Sequence, residues 1–433
     1  MFRQNLISLL RSCRNAFSTA GLKSDKMRSS QYLTLTPGDD PMDDNQWAES
    51  IGLLREHEPI WTNVLVESGF SLERIQFLID LVGSEQTAYD GRADSGVEEE
   101  TRTSFMKSLR HLIRIEHDLQ QMDGNSGEAL TAGKNEIVRD LFLRSCHWIK
   151  PLISVITPTY NRPAALCEML ECLVRQTVID FECIIVNDAG DSVDWVKRRY
   201  PELNITILDQ PVNGKHTRAR NVGLTAAKGT YILLCDDDDL LMPDHMKRML
   251  EALMEDPCDL VYCDAEIVEY ELRGNTRMPK SRLLFAYDSD LQAMRKFSTF
   301  IPSGCLYRME IHQVIGAFDE DIYHYWDWDF FLRVSALFKV KRVPAASVLY
   351  AFASSNGENL SADADQMRPF LDKLSAKHDL GWLPTKNFYL LLEEEGVKMR
   401  RSNTEVLWDG TPTVSRYELH RVSPVDPFRR PGK

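Results

Sequence analysis

The period of the apolar positions changes near residue 150. Between residues 47 and 145 they recur at helical spacing, as in IQFLIDLV (75–82) and FMKSLRHLIRIEHDL (105–119). Two turn-rich breaks, GSEQTAYDGRADSG and MDGNSGEALTAGKN, separate these predicted helices. From Pro151 the pattern alternates. LISVITPTYNRP ends a β-rich run at a proline-flanked turn, PAALCEMLECLVRQ has the amphipathic spacing of a helix, and FECIIVNDAGDS is a second strand ending in Asn187-Asp188-Ala189-Gly190. ITILDQ is another strand, and ARNVGLTAAK a helix feeding the run Tyr231 to Cys235. Strand, helix, strand, strand, helix, strand predicts a wound α/β sheet with right-handed crossovers. Beyond about residue 365 the chain reads as mixed helix and coil, and its Pro- and Arg-rich close, VSPVDPFRRPGK, as a loose end. The resulting division is a basic segment 1–45, a helical accessory region 46–148, an α/β domain 149–365 and an extension 366–433.

One stretch stands apart. In TYILLCDDDDLLMPDH, a short apolar run with the flanks of a buried parallel strand delivers Asp236 to Asp239 to its carboxyl end. In open α/β sheets ligands bind at that edge. Adjacent carboxylates at about 4 Å repel by about 1 kcal/mol even in water, so a cluster there calls for a cation, and hard divalent ions suit oxygen ligands best. A solvated turn followed by a helix start at Pro243 and Asp244 is the plainer reading. The ends of the predicted strands also carry Tyr160 and Asp188, so one cleft can gather all of these groups.

Composition narrows the partners. The 433 residues carry 51 basic and 65 acidic side chains, net −14, which argues against nucleic acid as a main partner. Nine cysteines, at 13, 146, 167, 172, 183, 235, 258, 263 and 305, form no CxxC pair, and several fall inside apolar runs, which implies a reducing, cytoplasmic setting. No apolar run approaches the roughly 18 residues that cross a bilayer. The first thirty residues hold Arg3, Arg11, Arg14, Lys23, Lys26 and Arg28 with no acid before Asp25, a pattern shared by transit peptides and basic membrane-surface helices. A disordered start is the preferred reading, with peripheral contact at the cytoplasmic face of a membrane left open.

Five blocks in order, VITPTYNRP, IIVNDAG, NGKHTRARNVGL, AAKGTYILLCDDDDLLMPDH and YWDWDFFLR, resemble the inverting family 2 glycosyltransferases of GT-A fold over residues 150–350. The resemblance implies a nucleoside diphosphate sugar donor and a divalent metal, manganese or magnesium. Pro158 and Tyr160 would then lie against the nucleotide base and Asp188 accept its N–H, so a uridine or thymidine diphosphate sugar is expected. Arg218 would neutralise diphosphate, while Lys215 and Arg220 read equally well as solvated charges. Asp236 and Asp238 match the DxD metal signature, and Asp237 and Asp239 would orient ribose or cap the next helix.

In YWDWDFFLR, Asp327 falls on the base position, Trp326 replaces the family's glutamate, and Asp329 is the substitute base. Trp326 and Trp328 read as core aromatics or as a sugar-facing platform. YAFASSNGENLS lacks a histidine that many relatives place near the diphosphate, and His324 lies too early to replace it. Ser303 and Gly304 are candidate contacts. The acceptor, a glycan, lipid-linked glycan, protein or small molecule, is not specified by these motifs. A nucleotidyltransferase making nucleotide sugars is a second reading, which VITPTYNRP does not serve because it lacks that class's Gly-rich loop. A non-catalytic nucleotide-sugar binding module is the third.

Overall fold

The computed structural model describes residues 52–88, 99–121, 128–146, 149–255, 257–273, 276–352, 364–385 and 392–417. The basic amino-terminal segment, residues 353–363 and the closing VSPVDPFRRPGK lie outside them. The chain divides into two compact units, Met1–Ile149 and Lys150–Lys433.

The first unit contains helices α1 (Glu58–Glu67), α2 (Leu72–Ala88), α3 (Glu99–Gln121) and α4 (Glu128–Ser145). Trp61, Leu65, Leu78, Phe105, Leu109 and Leu141, all at helical spacing, form its interior. Arg74 is fully buried there, its guanidinium donating to the Ser145 hydroxyl and the Ile149 carbonyl and lying 4.8 Å from the Phe142 ring.

The second unit is a sheet covered by helices. In chain order it runs β1 (Ile153–Thr159), α5 (Pro163–Val174), β2 (Phe181–Asn187), β3 (Ile205–Asp209), α6 (Lys215–Ala226), β4 (Tyr231–Leu234), β5 (Leu240–Leu241) and α7 (His245–Glu255). It continues with β6 (Leu260–Arg273), β7 (Thr276–Phe285), β8 (Leu306–Arg308), α8 (Trp326–Leu337), β9 (Val340–Phe352), α9 (Ala364–His378) and β10 (Glu405–Val406). The strand order is β10-β9-β6-β8-β4-β1-β2-β3, with β5 on β9 and β7 on β6. β3, β2, β1 and β4 are mutually parallel, while β8 enters antiparallel between β4 and β6. The expected wound, mostly parallel α/β sheet of GT-A type is therefore present.

β1 and β2 are buried at every position, which is why they read as continuous apolar runs and not as alternating ones. The register aligns Thr159 of β1 with Asn187 of β2, so Tyr160 and Asp188 leave the sheet side by side. Within residues 364–417, α9 packs its Leu371 and Leu374 against Trp328 and Leu332 of α8, and β10 pairs with β9. The described cysteines are unbridged, and all but Cys146 are buried.

Candidate active site

A cavity of about 510 Å³ opens at the carboxyl ends of β1, β2 and β4. Pro158, Tyr160, Asp188, Asp236, Asp237, Asp238 and Asp327 all line it, as do Arg162, Lys215, His216, Arg220, Tyr323, His324, Trp326 and Trp328. The loops that bring them together are bent: Asn161, Ala189 and Lys215 have φ of 53°, 63° and 68°. Side-chain residues avoid this region unless their surroundings hold them there, and such positions gather at functional loops. Asn161 is held through its side-chain oxygen, which accepts from the Asp191 amide at 2.8 Å.

At one end, Tyr160 is half exposed and Asp188 is buried, its Oδ1 accepting from the Gly214 amide at 2.8 Å. That bond joins the β2 loop to the start of α6 and leaves Oδ2 as an acceptor.

The four aspartates do not share one environment. Asp236 and Asp238 keep partial exposure, whereas Asp237 and Asp239 are buried. Asp236 pairs with Arg220, and its amide donates to the Ser303 hydroxyl. Asp237 accepts from Thr159 Oγ1 at 2.7 Å and lies 3.4 Å from the Arg162 guanidinium, which also pairs with Asp238 at 2.7 Å. Asp239 turns away and accepts from the Ala351 amide of β9 at 3.0 Å, tying the strand end to the far side of the sheet. The expected helix cap is thus not made: Asp239 satisfies a strand amide and Asp237 a threonine. Burial, and after it the charge of Asp238, pushes Asp237 up to about 7, and burial with the charges of Asp238 and Asp236 pushes Asp239 well above the usual carboxylate range.

Arg220 is the hub of this wall. It is buried, pairs with Asp236, donates to His216 Nδ1 at 2.7 Å and lies 4.0 Å from the Trp326 ring centroid. Trp326, standing where the family has glutamate, thus offers a π face to a guanidinium. His216, for which no role was expected, lies with its ring centroid 4.5 Å from that of Tyr323, and burial holds its imidazole well below the usual histidine range. Arg218 is a correction. It is exposed and absent from the cavity lining, whereas Lys215 and Arg220, readable as solvated charges, line it. At 3.6 residues per turn, Arg218 faces about 160° away from Arg220 on α6.

At the other end, Asp327 lies in the first turn of α8. Burial raises its carboxyl to about 6, against the stabilising amides of Trp328 and Asp327 itself. Among the described residues no cation lies within ion-pair distance of it. Asp329, two residues on, is the second correction. It does not line the cavity, is fully buried, and accepts from His378 at 2.7 Å, with Lys377 and Arg333 each at 2.8 Å. Burial would raise its pKa, but these hydrogen bonds and charges hold it below the ordinary carboxylate value. Trp328 is a core aromatic as well as a lining residue, its Nε1 donating to the Met294 carbonyl at 2.8 Å.

Ser303 and Gly304 do not line the cavity. Ser303 supports Asp236 from behind. Gly304, at φ +81°, sits where a Cβ would collide with His245 and Val348, so close packing beneath the acidic turn is its role. Arg162 and Thr159 were missed as partners of the acids because their role depends on the turn at Asn161. Arg277, whose Nη1 donates to the Asp238 carbonyl at 2.7 Å, comes from β7 with no local signal at all. Among the described residues no group of three or more His, Cys, Asp or Glu is arranged to hold a metal, and no helix is long and apolar enough to cross a membrane.

The family described as glycosyl transferase family 2 matches residues 154–316, from β1 through β8 and short of Asp327. An uncharacterized glycosyltransferase of Bacillus subtilis, YwdF, is 52% identical over 270 residues, covering 62% of this chain and 99% of the relative. An uncharacterized glycosyltransferase of Haemophilus influenzae is 35% identical over 106 residues, 24% of this chain and 36% of that protein. The solved structure of S. aureus TarS in complex with UDP-GlcNAc aligns with a TM-score of 0.40 and 20% identity over 53% of this chain and 66% of that one. The chain belongs to glycosyltransferase family 2 and is a glycosyltransferase.

Proposed function

We propose that residues 150–417 transfer a sugar, with inversion, from a uridine or thymidine diphosphate sugar to an acceptor hydroxyl. The observation that carries this reading is the arrangement around one cavity: an aromatic ring and a carboxylate, Tyr160 and Asp188, a turn of carboxylates, and a raised carboxyl, Asp327, with no ion-pair partner among the described residues. Tyr160 offers a ring face to the nucleobase. The second oxygen of Asp188 accepts an N–H, which uracil and thymine present and cytosine does not; guanine, through its N1–H, is the alternative. Solved relatives support a nucleotide-sugar donor, since TarS is recorded with UDP-GlcNAc and a Pyrobaculum calidifontis mannosyltransferase with GDP-Man and Mn2+.

Asp238 and Asp236 would hold a divalent ion. The donor set fits, since both carboxylates keep exposed hard oxygens and diphosphate and water can complete the shell. When bound, manganese or magnesium supplies charge compensation to the departing diphosphate. The chain's own residues do the rest. Arg220 and Arg162 orient the carboxylates, and Asp327 takes the proton of the acceptor hydroxyl onto its side-chain oxygen as that hydroxyl attacks the anomeric carbon from the far side. Aromatic walls at Tyr323, Trp326 and Trp328 exclude water from that path. The helical unit before residue 150 is assigned an accessory role.

Incubation with manganese and a panel of UDP-, dTDP-, GDP- and CDP-linked sugars, read as released nucleoside diphosphate, tests the donor. The anomeric coupling in the product's proton spectrum tests inversion. Turnover of CDP sugars at the rate of UDP sugars, or a retained anomer, would defeat the reading.

A further inference from the structure

Among the described residues two large aromatic side chains are strongly exposed, Tyr160 at 50% and Trp382 at 76%. Tyr160 lies at the donor end of the cavity. Trp382 lies in the turn after α9, and the next two residues, Leu383 and Pro384, line the cavity. A single exposed apolar residue needs no explanation by itself. The turn that presents this one, however, is built for the purpose.

Asp379 and Gly381 flank it with φ of 50° and 71°, so the chain is bent twice in the left-handed region to turn the indole outward. Arg368 of α9 fixes the turn by donating to the Leu383 carbonyl at 2.7 Å and to Thr385 Oγ1 at 3.4 Å. The same guanidinium sits 5.6 Å from the Trp382 ring centroid and pairs with Asp372. Leu383 packs with Trp328, one residue from Asp327. Asp329 locks the other side by holding Lys377 and His378, the last residues of α9. The second acid of the Trp-Asp-Trp-Asp block therefore anchors the turn that carries Trp382 to the helix that carries the base.

The geometry points to Trp382 as an acceptor-side platform for a saccharide ring adjoining the sugar that carries the attacking hydroxyl. This rests on the glycosyl-transfer reading above and narrows its acceptor to a saccharide chain. A pyranose has hydroxyls around its edge and polarised C–H bonds on its faces. The electron-rich face of an indole takes those C–H bonds, and the edge hydroxyls stay in water. Arg368 borders the ring and Leu383 with Pro384 continues the contact into the cavity, so the platform meets the site without a gap in the chain.

The test uses the full-length protein, UDP and manganese, and an array of free oligosaccharides of one to four units together with the same headgroups carried on lipid. The wild type is expected to bind at least one class of oligosaccharide of two or more units. Trp382→Ala should weaken that binding about tenfold or more, Trp382→Phe should retain most of it, and UDP affinity should be unchanged in both. Equal binding of free and lipid-carried headgroups identifies the saccharide alone as the recognised part, and a preference for the lipid form adds a lipid contact to it. If Trp382→Ala binds oligosaccharides as the wild type does, or if the wild type binds none, the platform is refuted. Loss of UDP binding in the wild type would instead refute the donor reading, a separate result.

Discussion

Two acidic regions face each other across the cavity, and they are built on opposite principles. At the end of β4, cations meet the charge: Arg220 pairs with Asp236, and Arg162 reaches both Asp237 and Asp238. At the start of α8, burial raises Asp327 to about 6 against its helix amides and the more distant charge of Arg220. The first region sets guanidinium groups against its carboxylates, although burial still raises Asp237 to about 7, whereas the raised carboxyl of the second has no ion-pair partner among the described residues. Each also sends one acid backwards into the scaffold, Asp239 to β9 and Asp329 to α9. An acidic run in a sequence therefore divides into members that face the chemistry and members that hold the wall behind it.

The largest expected effect tests the proton-accepting side. Asp327→Asn keeps volume and removes the acceptor of the proton, so transfer should fall by about 10²- to 10⁴-fold with UDP affinity within a few fold of wild type. Because the ionised carboxylate is the active form, wild-type rate should fall as pH drops through about 6, and this limb should disappear in the variant. A stability measurement sharpens the same point. A carboxyl whose pKa is raised from 3.8 on folding opposes folding once ionised, so above about pH 6 Asp327→Asn should melt at or slightly above the wild-type temperature. A lower melting temperature with an intact acid limb would assign Asp327 a structural role instead.

Next comes the charge-holding side. Asp238→Asn should reduce turnover by about 10²-fold and weaken manganese binding measured by calorimetry, without unfolding the protein. Full activity in EDTA together with unchanged calorimetry would break the contrast between the two regions. Asp188→Ala should act more narrowly. It removes one acceptor and the tie to Gly214, and UDP binding is expected to weaken about tenfold, a loss typical of a hydrogen bond to a charged group. Equal losses for UDP and CDP would show that the carboxylate does not read the base.

What the sequence made legible follows the same division. Asp188 and the β4 acids could be placed because continuous apolar strands end beside them, and parallel register turns sequence position into a common edge. Asp327 was legible only through family resemblance. Spacing could not separate it from Asp329, since only the first turn of α8 sends their side chains opposite ways. Arg218 misled for a related reason: in KHTRARN every third or fourth residue shares a helix face, and three basic residues compete for one position. Arg162, Arg277 and Trp382 depend on left-handed turns or distant strand pairing, which leave no periodic trace.

The smallest expected effect on catalysis, and the largest on stability, belongs to Asp329. Asn at this position keeps an acceptor for His378 but removes the buried charge that Lys377 and Arg333 share, although Lys377 keeps Asp319 as a second partner. Breaking such a pair costs about 3 kcal/mol, or about 5–10 °C in melting temperature for a unit of this size. Its folded pKa lies below the ordinary value, so the stabilising contribution is complete above about pH 4 and is lost as the pH falls below that value. The melting difference between wild type and Asp329→Asn should accordingly be constant from pH 6 to 8 and shrink in acid. Turnover at a temperature where both are folded should change only a few fold, through the positions of α9 and Trp382. If Asp329→Asn instead abolishes transfer while its melting temperature stays at the wild-type value, the two acids of α8 have exchanged roles.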